Sequence, residues 1–181
     1  FEQHRDIFYL CGVDQEESIL VLCPDNPNPD LREILFLKET NDHIAVWEGP
    51  KINKTQALKI SGIKTVFWLK DLEKLVDKLV STCHNIYFNK NEHYRAKIET
   101  ETREARFNSW LEKKYPKKNK ERSNPILQRL RSIKDHKEIS LIQQACDITN
   151  KGFRRILGFV KPGVWEYEIE AEFIHEFLIN R

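Results

Sequence analysis

A chain of 181 residues, 40% hydrophobic and 10% aromatic, has apolar material for one buried core and part of a second. Thirty lysines and arginines against 28 aspartates and glutamates leave a net charge of +2, which gives no global pull toward nucleic acid or an anionic membrane. No apolar run reaches the roughly 18 residues of a membrane span, and no secretory pattern opens the chain.

Cys11, Cys23, Cys83 and Cys146 lie far apart, without CxxC spacing or neighbouring histidines. They read as free thiols of a reduced, cytoplasmic protein. The chain contains no methionine and opens on Phe1 inside a Phe/Tyr-rich segment, so further residues are expected before it.

In chain order, strands are expected first. Ile7-Phe8-Tyr9-Leu10, Ser18-Ile19-Leu20-Val21-Leu22-Cys23, Ile34-Leu35-Phe36-Leu37 and Ile44-Ala45-Val46-Trp47 are short apolar runs set between turn formers. Their continuous apolar character predicts strands covered on both faces. Residues 54–61 read as a short helix closed by Gly62, and Thr65-Val66-Phe67-Trp68-Leu69 as a buried strand. Residues 71–81 place Leu72, Leu75, Val76, Leu79 and Val80 on one helical face. A strand at Ile86-Tyr87-Phe88 and a more polar helix over 99–113 follow. Strands alternating with helices predict an α/β fold built on a mixed sheet flanked by helices.

Residues 113–122 hold a proline within a run of like charge and are expected to be solvated, marking a boundary between domains. A polybasic nucleic-acid contact is the competing reading, but the run is short and Tyr115 is its only aromatic. Beyond it, Ile139, Ile142, Cys146, Thr149, Phe153, Ile156 and Val160 form a stripe along a helix of about six turns. Lys161-Pro162-Gly163 breaks that helix. A second helix is expected to start at residues 163–166, with Glu166 near its free backbone N–H groups and Trp165, Ile169, Phe173 and Phe177 at every fourth position. Two such helices need a further surface to cover, or they pack on each other or on a second copy.

These segments carry a resemblance. Leu130-Arg131-Ser132-Ile133-Lys134-Asp135-His136-Lys137-Glu138-Ile139, then Ala145, Thr149 and Val160-Lys161-Pro162-Gly163-Val164-Trp165-Glu166, resemble the opening of the pita-bread domain of aminopeptidase P. Upstream, Phe1-Glu2-Gln3-His4-Arg5-Asp6-Ile7-Phe8-Tyr9-Leu10-Cys11-Gly12 and Trp47-Glu48-Gly49-Pro50-Lys51 are similar to segments of the same family's N-terminal domain. Glu2 and Pro50 stand where the family usually carries arginine.

The resemblance implies a ribonuclease-H-like N-terminal domain over 1–115, a basic linker over 116–123, and over 124–181 the first two helices of a pita-bread α+β domain. It implies a cytoplasmic, homo-oligomeric Xaa-Pro aminopeptidase acting on peptides with proline second, with no nucleic-acid or membrane partner. Such enzymes use two divalent metal ions, manganese expected, held by two Asp, one His and two Glu. Those ligands fall after Arg181 in the family, so these 181 residues are expected to bind no metal, to contain no catalytic residue and to be inactive alone. Trp47 matches a tryptophan that projects toward a neighbouring subunit's active site. The same fold also serves non-enzymatic peptide or histone binding in a chromatin chaperone, which is the alternative.

Other candidates read as structural. Glu166, Glu168, Glu170, Glu172 and Glu176 with His175 form an acidic helix whose carboxylates point in several directions, unlike a convergent metal site. His4, His84 and His93 are read as surface or hydrogen-bonding histidines, Lys51 as surface charge, and Asp6 as a structural carboxylate binding backbone amides.

Overall fold

The computed structural model describes residues 3–92 and 100–180. Phe1, Glu2, His93, Glu99 and Arg181 lie outside the described residues. The chain divides into two compact units, Phe1–Leu127 and Gln128–Arg181.

The first unit is built on a mixed three-stranded sheet in the order β1-β2-β3, with β1 Ile19–Leu22, β2 Glu33–Leu37 and β3 Thr65–Trp68. β1 runs antiparallel to β2, pairing Leu20 with Leu35. β3 runs parallel to β2, pairing Phe36 with Phe67. Ile34, Leu35, Phe36 and Leu37 are all fully buried, as their unbroken apolar run predicts for a strand covered on both faces.

Alternate residues of the sheet serve opposite layers. Leu35 and Leu37 pack with Cys11, Val13, Ala57 and Ile63, the layer to which α1 (Arg5–Cys11) and α3 (Lys54–Ser61) contribute. Ile34 and Phe36 pack with Leu79 and, around them, Leu72 and Leu75 of the helix at Leu72–Thr82. That helix, α4, also turns Val76 and Val80 toward Phe88 and Leu111. It therefore joins two core clusters, and its apolar positions do more than fill one face.

β4 (Asn85–Phe88) and β5 (Asn119–Arg122) form a separate parallel pair, connected through α5 (Arg103–Lys114). Residues 119–122 were expected inside a solvated linker. All four are exposed, yet their backbone pairs with β4 and they belong to the first unit. A charged sequence forms an edge strand when the ladder satisfies its backbone and the side chains stay in water.

Two further expectations are corrected. Ile7–Leu10 lies in α1, and Ile44–Trp47 lies in α2 (Asp42–Glu48); neither is a strand. A short apolar run has no periodicity of its own to exploit, so capping decides. The Asp6 backbone N–H donates to the His4 ring, and Gly12, in the left-handed region, donates its N–H to Phe8. The Asn41 side chain accepts from the Ile44 backbone N–H at 2.9 Å, as an N-cap does.

In the second unit, α7 (His136–Phe159) packs on α8 (Glu166–Ile179), after α6 (Asn124–Ser132), which straddles the division between the units. Asp135 and Glu138 form a reciprocal capping box at the start of α7. α8 starts at the end of the expected range, with Trp165 as N-cap, and the carboxylate that turns back to the Trp165 N–H is that of Glu168, at 2.8 Å. Glu166 is the first helical residue.

Candidate functional site

α2 presents the one residue carried over as a site. Trp47 is 81% exposed and Val46 76% exposed, and no described side chain of α2 is buried. The helix ends at Gly49, whose φ of 78° favours glycine. Pro50, Lys51 and Ile52 then return to the core, where Ile52 packs beside Leu35, Leu37 and Ala57.

Charge gathers at this exit. Lys38, which continues β2, reaches Glu48 at 2.9 Å and Glu17 at 4.0 Å. Lys51, its side chain only 12% exposed, pairs with Glu16 and lies 3.8 Å from Glu48. Arg103 pairs with Glu17 at 2.7 Å. The hydrogen bond from Lys51 holds the Glu16 carboxyl below its ordinary value, and the bond from Lys38 does the same to Glu48. Buried Gln15 accepts a hydrogen bond from the Ile52 backbone N–H, while its own carbonyl accepts from Gln3 at 2.8 Å. Lys51 is thus a half-enclosed member of an ion-pair network and not the free surface charge expected. Sequence reading missed Gln15, Glu16, Lys38 and Glu48, because pairs separated by ten to 37 positions leave no local signal.

Asp6, expected to bind backbone amides, accepts from the Asn89 side-chain amide at 3.2 Å. Nearby, burial pushes the Glu104 carboxyl above its ordinary value, with His4 opposing and Asp6 reinforcing the effect. His84 is exposed, and its backbone carbonyl accepts from Asn119. On α8, Glu172 and Glu176 face α7 and pair with Arg155. Among the described residues no group of three or more His, Cys, Asp or Glu is placed to hold a metal ion. The basic run is partly engaged within the fold: Lys114 with Glu73 and Asp77, Tyr115 with Asp77, Lys118 with the Cys83 carbonyl and Arg122 with Glu92. No helix among the described residues is long and apolar enough to cross a membrane.

Residues 1–87 match the family model described as aminopeptidase P, N-terminal domain. The chain is similar to the N-terminal region of Xaa-Pro aminopeptidases, and the similarity runs across both units. Against Xaa-Pro aminopeptidase 3 of Homo sapiens it is 27% identical over 179 residues, covering 97% of this chain and 34% of that protein. A solved structure from Bacillus anthracis, provisionally assigned as an aminopeptidase P, superposes with a TM-score of 0.86 at 27% identity, over 99% of this chain and 42% of that one. A zinc-substituted Escherichia coli aminopeptidase P in complex with product shares the fold, with a TM-score of 0.76 at 21% identity over 98% of this chain and 40% of that one. The chain therefore spans about two fifths or less of the relatives it matches.

Proposed function

We propose that the chain is the N-terminal part of a metallo-aminopeptidase that removes the first residue from peptides with proline second. The supporting observation is similarity to Xaa-Pro aminopeptidases over 97% of the chain, so the N-terminal-domain resemblance and the Val160-Lys161-Pro162-Gly163 resemblance occur in one order in one relative. In this reading the first unit is a ribonuclease-H-like domain that includes β5. The pita-bread catalytic domain opens near residue 124, and the whole protein is a cytoplasmic homo-oligomer.

The described residues do not fit a pair of divalent ions, so no step of the reaction is assigned to them. The metal, expected to be manganese, belongs to residues that the relatives carry beyond this region. What this chain contributes is Trp47, held out on α2 and reaching a neighbouring subunit's active site to contact the peptide.

The test is activity of the whole protein. Purified with Mn²⁺, it is expected to release the first residue from an Xaa-Pro peptide, and the 181-residue chain alone is expected to show no turnover. An intact protein that leaves such peptides uncut, with metal supplied, overturns the reading; turnover by the 181 residues alone overturns the assignment of the chemistry to other residues.

A further inference from the structure

α2 carries its two most exposed apolar side chains, Val46 and Trp47, without a core contact of its own, since none of its residues joins the three buried clusters of the first unit. Ile44 and Ala45 are half-buried and seat the helix, and the ties at its C-terminal end add to what sets the direction of Trp47. Glu48, the residue after Trp47, is tied to two cations on rigid parts of the fold. Lys38 extends the fully buried strand β2 and bonds Glu48 at 2.9 Å. Lys51 immediately precedes Ile52, which is packed in the core and whose backbone N–H is held by buried Gln15.

Lys51 is the hinge of this arrangement. It also pairs with Glu16, so its ammonium bridges the loop before β1 and the end of α2. Exposed ion pairs contribute little, because water screens them and free side chains lose entropy on pairing. Lys51 differs in being partly enclosed, with its ammonium between two carboxylates.

We propose that Lys51 is a positioning residue for substrate binding: by bridging Glu16 and Glu48 it fixes the exit of α2 and so the direction in which Trp47 projects. The inference rests on the reading of Trp47 as a contact to peptide in a neighbouring subunit. Replacing Lys51 by an uncharged residue leaves Glu16 and Glu48 facing each other, with Lys38 as the cation remaining at Glu48. The helix end then keeps only its tie to Lys38 and loses its bridge to the loop before β1, and Trp47 is held less firmly. Arginine retains the charge and the bridging reach.

The experiment uses the whole protein labelled with 5-fluorotryptophan, the Trp47 resonance being assigned by its loss in Trp47→Phe. In Lys51→Met the resonance is expected to shift or narrow. KM for an Xaa-Pro peptide is expected to rise roughly three- to tenfold with kcat within about twofold, since a misdirected binding group weakens positioning before chemistry. Lys51→Arg is expected to restore both, and Glu48→Gln to reproduce the Lys51→Met effect if that variant folds poorly. An unchanged Trp47 resonance in both Lys51→Met and Glu48→Gln overturns the positioning role whatever the kinetics. A shifted resonance with KM unchanged in both Lys51→Met and Trp47→Ala overturns the role of Trp47 in binding, and with it the functional part of the proposal.

Discussion

Gly152 shows how much one hydrogen atom decides in the second unit. A Cβ at this position lies 2.7 Å from Cε2 and 2.9 Å from Cδ2 of Phe173, well inside contact distance. The Phe173 ring has little room to retreat, since it sits edge-on to both Phe153, at 5.3 Å, and Phe177, at 4.5 Å between centroids. Alanine in mid-helix ordinarily gains about 1 kcal/mol over glycine through backbone entropy. Overpacking of this kind costs about 1–3 kcal/mol, so the clash outweighs the gain. Gly152→Ala is therefore expected to lower stability in chemical denaturation, and Phe173→Leu in the same chain to recover part of the loss. A gain of stability in Gly152→Ala alone would show that the helices reseat freely.

Between elements, the end of α5 is tied to α4 through Tyr115, whose hydroxyl donates to Asp77, with Lys114 reaching Asp77 and Glu73. Burial, and then the bond to Asp77, push the Tyr115 phenol from 10.0 up to about 12. The folded value lies above the ordinary one, so the stability this group contributes is fully present below pH 10 and lost as pH rises through about 12. Denaturation midpoints are thus expected to fall between pH 10 and 12 in the native chain, with a shallower fall in Tyr115→Phe. Equal slopes for the two would place the tyrosine outside this linkage.

The same scale explains which elements were readable. α4 announced itself through Leu72, Leu75, Val76, Leu79 and Val80, a spacing long enough to have a period. Ile44-Ala45-Val46-Trp47 is too short for that, and the informative residues were the flanking Asn41 cap and Gly49 stop.

For the whole molecule, the exposed apolar residues of the second unit set its behaviour. The α7 stripe read from the sequence coincides only in part with the face against α8: its Phe153 meets that helix together with Lys151, Gly152 and Arg155, while Ile139, Ile142 and Val160 stay about half exposed. Trp165 and Tyr167 stack on each other and are likewise exposed. Each large apolar side chain fully buried is worth roughly 1.5–3 kcal/mol, so a surface of this kind gains from any cover. The 181-residue chain is expected to bind an apolar dye and to sediment with rising mass as concentration increases, and the whole protein to do neither. A monomer at all concentrations that leaves the dye unbound would contradict this.

The amino-acid sequence by itself determined the elements whose pattern is local. These are the buried run Ile34–Leu37, the amphipathic α4, the short helix closed by Gly62, and the motif order that aligns the chain with Xaa-Pro aminopeptidases. Trp47 was also legible, as a motif position beside Gly49. Only the tertiary structure decided what surrounds it. Lys51 meets Glu16 across 35 positions, and β5 finds β4 across 34, and neither pairing leaves a period or spacing along the chain. Such contacts depend on where the core folds their backbones, and that is settled by burial summed over the whole unit.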